Sequence, residues 1–446
     1  MKAIMKQKNN PLTLKSLIKN EDLYFFIIFF IGIAFRVMYS ILTKCTQRQH
    51  DFFDKNGHYD YIKIIANTFS LPTTNGWQFY HPPLSHGIMA VFYNFLRLFT
   101  QDDKLIAEFL QIIPLVYSVI LMYVFYKILK EFNLPKKYSL IALLIFAVHP
   151  SNIILSGSMN NDMLTYLLFG VALLYSIKWY KKPSYLNIII LALAIALAGL
   201  SKFSGLTVAP ITAILFLAAF IKNKEMRLTL IKQFCLFAII CLPLGLSHTF
   251  RQYSLFDQPM GYVPNLGKTH SQYIDKNIFL RLFQTGKNDF KSLFWQGKGQ
   301  DVNLPIIAIK SSVFGEYRYW GTPLGKKATD FHAAGLLYSS VALMFSSLFL
   351  GVWNIIKSRQ KSILKFVLWL VFVVQTVLYV YFNSKYPYSC TSDFRYLLPI
   401  LLCVPFFFAG GLQFIKNRII KIAFLIIPAV FTYFSIAFYL LALNVK

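Results

Sequence analysis

The stretch that decides the fold is LYFFIIFFIGIAFRVMYSILT, residues 23–43, in which one cation, Arg36, interrupts an otherwise apolar run. A helix of about 20 mainly apolar residues can cross the hydrocarbon core of a bilayer. This run is longer than the apolar region of a typical secretory signal peptide, and no small-residue cleavage pattern follows it. It is therefore predicted to stay in the protein as the first transmembrane helix.

Ten further runs of the same character follow along the chain. With the first, they predict eleven spans, at 23–43, 105–127, 138–156, 162–180, 185–201, 203–221, 229–248, 334–356, 363–383, 395–415 and 419–441. A shorter run at 84–99 also contains polar side chains, namely Ser85, His86, Asn94 and Arg97. We expect that run to lie in the membrane interface or to re-enter it. The predicted fold class is an all-α polytopic membrane protein.

The composition agrees with this class. Of the 446 residues, 56% are hydrophobic and only 14% are charged, where about 25% charged is usual for soluble domains. A soluble enzyme, a disordered chain and a secreted disulfide scaffold are therefore excluded. The net charge of +27 fits a membrane protein with cationic loops or a nucleic-acid binder, and the long apolar runs favour the first. No nucleic-acid partner is expected.

The basic residues predict the orientation of the chain. Cytoplasmic loops carry an excess of Lys and Arg. If 84–99 does not cross, the N-terminal tail and all five short basic loops fall on one side, with 23 of the 45 Lys and Arg residues. Those loops are 127–137, 178–182, 222–232, 357–365 and 416–421. We therefore predict a cell-membrane protein with a cytoplasmic N-terminus.

Fourteen of the eighteen acidic residues and the two long polar segments fall on the opposite, outer side. The predicted organisation is a cytoplasmic tail at 1–22, a transmembrane core at 23–248 with a first outer loop at 44–104, a long outer loop at 249–333, and C-terminal transmembrane helices at 334–446. Loops of this length are commonly functional. Any active site is thus expected to face away from the cytoplasm.

The first outer loop contains two acids close to the predicted membrane exit, Asp51 and Asp54. An aspartate held there, under interfacial helices, can act as general base toward an acceptor hydroxyl. The alternative is that both are solvated loop acids. Apolar residues at helical spacing predict an amphipathic helix over 59–69, and His81-Pro82-Pro83-Leu84 predicts the start of another helix.

Three more motifs follow on the same predicted side: Asn160-Asn161-Asp162, Gly199-Leu200-Ser201-Lys202-Phe203-Ser204-Gly205 and Phe394-Arg395-Tyr396-Leu397-Leu398-Pro399. With the early aspartate and His-Pro-Pro-Leu, this ordered set resembles the GT-C class of membrane glycosyltransferases. The most similar branch is the protein O-mannosyltransferase and lipid A aminoarabinose transferase group. The resemblance covers about residues 23–205 and, locally, 390–402. It does not extend to 249–333.

The resemblance implies a function. Such enzymes move a hexose or pentose from a polyprenyl-phosphate carrier to an acceptor on the outer face, with inversion. By position, Asp51 would deprotonate the acceptor, with Asp54 as the second candidate. Asp162 would shape the site, orient the acceptor or help hold a metal. The sequence carries no cofactor signature, and a divalent ion between Asp51 and Asp162 is left open.

The cations fit this role. Lys202 and Arg395 lie at predicted outer helix ends in apolar surroundings, where an unpaired cation is costly. Fixed positive charge there would stabilise the departing phosphate, and His81 is assigned to the same phosphate. The alternative is that these side chains extend to the membrane interface. For Arg36, this alternative and a functional role are equally supported by the sequence.

Three further residues are candidates for substrate binding. His86 follows His81 closely, and Glu316 and Arg318 belong to a dense polar and aromatic patch at 315–320. Such a patch suits a sugar-binding wall, although an interfacial aromatic belt or a lid is favoured over it.

Two other functions compete with the transferase. A transporter or flippase of a lipid-linked saccharide should place charges near the bilayer midplane, whereas most predicted spans here are free of charge. A non-catalytic scaffold is the third hypothesis. The expected partners are a polyprenyl-phosphate sugar, membrane lipids, and an acceptor that is a protein, a lipid or a cell-wall polymer.

Overall fold

The computed structural model describes residues 21–45, 54–285, 292–295, 301–315, 323–358 and 362–443. Within these ranges the chain is helical, and its only extended pairing is an isolated bridge between Tyr273 and Tyr388. The α-helices are α1 Glu21–Leu42, α2 His58–Thr68, α3 Leu84–Leu96, α4 Asp103–Leu110, α5 Ile112–Glu131, α6 Lys136–Ala147, α7 Pro150–Ile154, α8 Asp162–Lys181, α9 Tyr185–Ser201, α10 Ala209–Lys222, α11 Arg227–Phe256, α12 Ile278–Phe283, α13 Leu304–Phe314, α14 Pro323–Lys357, α15 Leu364–Lys385, α16 Val404–Leu412 and α17 Arg418–Leu443.

Nine helices in the described part of the chain are long and apolar enough to cross a membrane, and a bent pair supplies a tenth. The all-α membrane architecture predicted from the sequence is therefore confirmed. The count of eleven is not confirmed, because the predicted span 185–201 is the 17-residue helix α9, which is shorter than each helical stretch counted above as a span. The run predicted not to cross is also short, since α3 has 13 residues.

The bent pair corresponds to the predicted span 138–156. Helix α6 and the segment Pro150–Gly157 meet at 59°. Pro150 is the cause, because a proline disfavours helical backbone in the residue before it. The new helix is capped by His149, whose Nδ1 accepts from the Ser151 amide at 3.3 Å.

Burial divides the helices into an inner and a peripheral group. Helix α8 and the segment Ser389–Leu412 are mostly enclosed by other helices, whereas α1 and α17 are mostly exposed along their apolar lengths. Helix α9 packs against both α8 and α11, and α14 packs against α16 and α17. Because α8 is enclosed by other helices and α9 packs directly on it, the positions of the ends of α8 and α9 are fixed relative to each other.

Helices α2, α3 and α4 pack together beside the main bundle. Their buried apolar side chains form a second, smaller core: Tyr59, Ile62, Ala66, Met89, Ala90, Tyr93, Ile106, Ala107 and Leu110. The amphipathic helix and the helix after His-Pro-Pro-Leu are thus present as predicted, and each covers the apolar face of the other. The 44–104 segment is named the first polar segment below.

Residues 249–333, named the second polar segment, contact the first at one end of the bundle. Arg251 donates to the Pro72 carbonyl at 2.8 Å, and Gln258 donates to the Asn75 side chain at 3.2 Å. The opposite end carries short basic loops, where Lys181 pairs with Glu131 at 2.8 Å. The two polar segments therefore meet at one end of the molecule.

Candidate active site

Asp162 and Lys202 form an ion pair where α8 begins and α9 ends. The Asn161 side-chain Nδ2 donates to the Ser201 carbonyl at 2.9 Å, which joins the two helix ends. The Asn160 side chain accepts from the Asp162 amide at 3.0 Å and so shapes the turn before α8. Both charged side chains are largely buried, at 4% exposed for Asp162 and 12% for Lys202. The motifs at 160–162 and 199–205 are thus brought together.

Gly205 allows Lys202 to take its position. Lys202 ends α9 in extended conformation, and its carbonyl accepts from the Gly205 amide at 2.8 Å. A Cβ on Gly205 would lie 2.6 Å from the Ala198 carbonyl oxygen. Only a glycine lets the chain fold back this closely on α9. The glycine of the 199–205 motif therefore has a packing role that serves the lysine.

The third motif brings a second cation to the same place. The Tyr396 ring lies 4.9 Å from Lys202 Nζ and 5.3 Å from Arg395 Cζ, measured to the ring centroid. Asp393 fixes the start of this 3₁₀ segment by accepting from the Arg395 amide at 2.8 Å. Lys202 and Arg395 both act electrostatically on Asp162. Two cations from distant parts of the chain therefore lie within electrostatic reach of the Asp162 carboxylate.

His81 belongs to this cluster. Its ring packs on Tyr80 at 4.1 Å between centroids. Desolvation, then the charge of Lys202, the neighbouring His58 and His86 and the charge of Arg395 hold the pKa of His81 well below its usual value. The imidazole is therefore neutral at neutral pH and available as a hydrogen-bond donor or acceptor rather than as a third cation.

His86 faces another histidine rather than the cations. Its Nε2 lies 2.9 Å from His58 Nδ1, so one proton is shared between the two buried rings. The rings of Tyr61 and His86 stack at 4.4 Å. Burial and the neighbouring His58 hold the pKa of His86 well below its usual value. His58, the partner of His86, in turn acts electrostatically on Asp162.

Of the two candidate catalytic acids in the first polar segment, the structure describes only Asp54. Asp54 lies in an exposed turn before α2, where its carbonyl accepts from the Gly57 amide at 2.8 Å. Asp51 lies outside the described residues, as do Glu316 and Arg318. Their assignments stay predictions.

Arg36 is neither exposed nor part of this cluster. It is fully buried in α1, where its guanidinium donates to Ser118 at 2.7 Å and to the carbonyls of Gly32 and Ala147 at 2.8 Å each. These bonds tie α1 to α5 and α6. Arg36 therefore cross-links three helices inside the bundle. Its guanidinium does not extend to the membrane interface, so the snorkelling alternative is wrong for this residue.

The described ranges contain no group of three or more His, Cys, Asp or Glu side chains that could hold a metal ion. Asp162 would be one member of the pair considered from the sequence, and Asp51 the other. Of the two, only Asp162 has described surroundings, and its carboxylate is engaged by Lys202.

Neither the place of His58 beside the site nor the position of the Tyr396 ring near both Lys202 and Arg395 was predicted from the sequence. His58 lies on the buried face of α2 with Tyr61 and Ile62, and its place on that face was the available signal. Tyr396 was visible within its motif, but nothing in the chain indicated that it would face Lys202. Both roles depend on contacts between segments distant in sequence.

Known proteins resemble this chain in sequence and in structure. A family model described as dolichyl-phosphate-mannose-protein mannosyltransferase matches residues 81–247, which include His81, Asp162 and Lys202. No curated protein sequence matches the chain.

The solved structure of ArnT from Cupriavidus metallidurans bound to undecaprenyl phosphate is similar, with a TM-score of 0.53 and 12% identity over 94% of this chain and 76% of ArnT. The Archaeoglobus fulgidus oligosaccharyltransferase tethered to an acceptor peptide gives a TM-score of 0.52 and 15% identity over 96% of this chain. The chain spans 56% of that enzyme's length. These similarities confirm the GT-C fold expected from the motifs.

Proposed function

We propose that this protein is a membrane glycosyltransferase that moves a sugar from a polyprenyl-phosphate donor to an acceptor on the extracytoplasmic face, with inversion. One observation carries the proposal. Lys202 and Arg395, from distant parts of the chain, meet on the ring of Tyr396 beside the buried carboxylate of Asp162.

Two cations held together at helix ends suit a lipid-linked phosphate. A polyprenyl phosphodiester presents its anion near the headgroup level of a bilayer, and its leaving phosphate gains negative charge in the transition state. Preorganised cations at that position stabilise the developing charge more than they stabilise the ground state. Asp162 holds Lys202 in place before the donor arrives, and Tyr396 orients both cations.

The neighbourhood of Asp162 also suits the acceptor. In a single displacement, the acceptor hydroxyl oxygen attacks the anomeric carbon while the bond from that carbon to the phosphate oxygen breaks. The polyprenyl phosphate leaves with the bonding electron pair. The hydroxyl proton passes to an aspartate of the first polar segment, Asp51 or, as the second candidate, Asp54. His58 and His81 of the same segment stack at 5.8 Å between ring centroids, and they interact electrostatically with Asp162 and with the two cations respectively.

The comparisons support the donor class. The family model names a dolichyl-phosphate-mannose enzyme, and the similar ArnT structure contains undecaprenyl phosphate. We infer a polyprenyl-phosphate hexose or pentose as donor. The acceptor is a protein, a lipid or a cell-wall polymer, and a divalent ion contributed by Asp51 and Asp162 stays an open part of the proposal.

The basic loops support the outward orientation. The Lys181–Glu131 pair and the contact of Lys421 with Tyr138 lie at the end of the bundle that carries the short basic loops. If that end faces the cytoplasm, as the positive-inside rule predicts, the Asp162 cluster faces outward.

A transporter or flippase is less well supported than an enzyme. Transport sites usually lie near the bilayer midplane, whereas Asp162, Lys202 and Arg395 each lie at a helix end. Arg36, which is buried within a span, is fixed by protein carbonyls rather than lining a pathway.

Deletion of the protein in its native cells tests the proposal, with mass spectrometry of envelope glycans and of lipids that copurify with the protein. We expect one glycan to lose a single sugar and the copurified lipid to be a polyprenyl phosphate. Complementation with wild-type protein should restore that sugar, and with Lys202→Met it should not. An unchanged glycan profile would contradict the proposal, whereas a lipid-linked saccharide that accumulates on the cytoplasmic leaflet would favour the transporter.

A further inference from the structure

A short helix of the second polar segment places a buried arginine beside the segment that carries Arg395. Arg281 of α12 has no solvent exposure. Its guanidinium donates to the Asn383 carbonyl at 3.1 Å, to the Asn383 side-chain oxygen at 3.3 Å and to Ser392 Oγ at 2.6 Å. Burial lowers the pKa of Arg281 only to about 10, so the group stays cationic at neutral pH. A buried guanidinium without such acceptors would be strongly destabilising.

The groups that Arg281 contacts define a turn between α15 and the Arg395 segment. Ser392 Oγ donates to the Asn383 side-chain oxygen at 2.9 Å, and Asn383 donates to the Thr391 carbonyl at 3.1 Å. Tyr379 donates to the Ser392 carbonyl. Arg281 therefore adds three hydrogen bonds to this turn through its two terminal nitrogens, and these bonds hold residue 392 in place.

The chain runs from this turn directly into the candidate donor site. Asp393, the next residue, accepts from the Arg395 amide, and the Phe394 amide donates to Ser311 Oγ at 2.9 Å. Three residues after Ser392, the Arg395 guanidinium stacks near Tyr396. The second polar segment also contacts this turn elsewhere, since the Ile274 amide donates to the Pro387 carbonyl at 2.8 Å.

We propose that Arg281 is a positioning residue for Arg395, so that the second polar segment sets the affinity of the site for a polyprenyl phosphate. This inference rests on the proposed function. Arg281 touches no reacting atom in the proposal. It acts by holding Ser392 and Asn383, and the register of the 3₁₀ segment transmits that position to Arg395. A loosened anchor of this kind lowers affinity because ligand groups must be held within about 0.5 Å of their productive positions.

The test is binding of undecaprenyl phosphate to purified full-length protein in lipid nanodiscs. We expect Arg281→Gln to weaken binding about tenfold, and Ser392→Ala, which removes one acceptor and keeps the arginine, to weaken it about threefold. The double variant Arg281→Gln/Arg395→Gln should bind no more weakly than Arg395→Gln alone, because a residue that acts through Arg395 has nothing left to position.

Arg36→Gln is the matched control, since it removes a second fully buried arginine that is bonded to carbonyls and a serine. It should lower the unfolding temperature without changing the affinity. If Arg281→Gln and Ser392→Ala bind like wild type, or if the double variant loses affinity multiplicatively, the positioning role is overturned. Absence of binding by wild-type protein would overturn this role and the proposed donor class together. Wild-type binding with unaffected variants overturns the positioning role alone.

Discussion

The Lys202 ammonium forms an ion pair with the Asp162 carboxylate at the junction of two helix ends, and Asn161 closes that junction through the Ser201 carbonyl. Because the two buried charges compensate each other, neither requires a bound counter-ion. A donor phosphate that enters beside Arg395 thus meets a lysine whose position is already fixed. This relationship predicts which substitutions alter donor binding and which alter only stability.

Replacing Lys202 with methionine should weaken the donor interaction selectively. The variant removes a charged donor of hydrogen bonds, a change worth about 1.5–3 kcal/mol, which corresponds to roughly ten- to hundredfold in KM for the lipid donor. The acceptor KM should change little. Steady-state kinetics with each substrate varied separately would measure the difference.

Lys181→Met is the control for that experiment, because it removes a lysine paired with a glutamate at the opposite end of the bundle. It should leave both KM values as in wild type. Equal donor affinity in Lys202→Met and wild type would contradict the phosphate-binding role.

Tyr396 should matter through its ring rather than its hydroxyl. Its face lies beside Lys202 and Arg395, and cation–π contacts contribute about 0.5–2 kcal/mol. Tyr396→Leu is therefore expected to weaken undecaprenyl phosphate binding by roughly two- to thirtyfold, while Tyr396→Phe should bind like wild type. Identical losses in both variants would assign the effect to the hydroxyl instead.

Gly205→Ala should displace Lys202. The added Cβ would lie 2.6 Å from the Ala198 carbonyl oxygen, and relief of such overlap costs about 1–3 kcal/mol. We expect a lower unfolding temperature and weaker undecaprenyl phosphate binding.

Gly87→Ala is the matched control for the glycine prediction, since its Cβ would have no atom within 4 Å and it lies inside α3. This variant should be as stable as wild type or more stable. If both alanine variants behave alike, the close approach at Gly205 does not fix Lys202.

Acid should destabilise the protein through its buried histidines. Burial and neighbouring charges lower the pKa of His81 and His86 in the folded state. Below about pH 6.5 the unfolded chain therefore binds protons that the folded chain does not, so the free energy of unfolding falls as the pH falls. The slope is at most about 1.4 kcal/mol per pH unit for each histidine.

Unfolding temperatures of wild type and His86→Gln measured from about pH 7.5 down to about pH 5.5 would check the sign. The variant should lose less stability than wild type over that interval. A variant with the same or a steeper loss would mean that His86 takes up its proton equally well in the folded state.

Some features of the fold were predictable because they depend on local pattern. The apolar runs, the amphipathic helix that became α2 and the helix after Pro83 follow from periodicity and from proline geometry. The bend at Pro150 was also readable in principle, but the run 138–156 was predicted as one span with no break.

The convergence of Asp162, Lys202 and Arg395 was predicted by family resemblance rather than by local pattern. The roles of His58, Tyr396 and Arg281 were not predicted, because each depends on a partner from a distant segment. Asn383 and Ser392, for example, have no feature in sequence that points to Arg281. Short-range pattern thus determines the helices, whereas the site is determined by how their ends meet.

The most direct test of the central claim is transfer of labelled sugar by purified protein from a lipid extract of the native cells to a membrane acceptor. The wild-type protein should transfer label, and Asp51→Asn or Asp54→Asn should lose about 10²–10⁴-fold in rate while still binding undecaprenyl phosphate, because general base catalysis contributes about that much. Transfer at the wild-type rate in both aspartate variants would contradict the assigned base. No transfer by the wild-type protein, from an extract that supports transfer in native membranes, would contradict the glycosyltransferase itself.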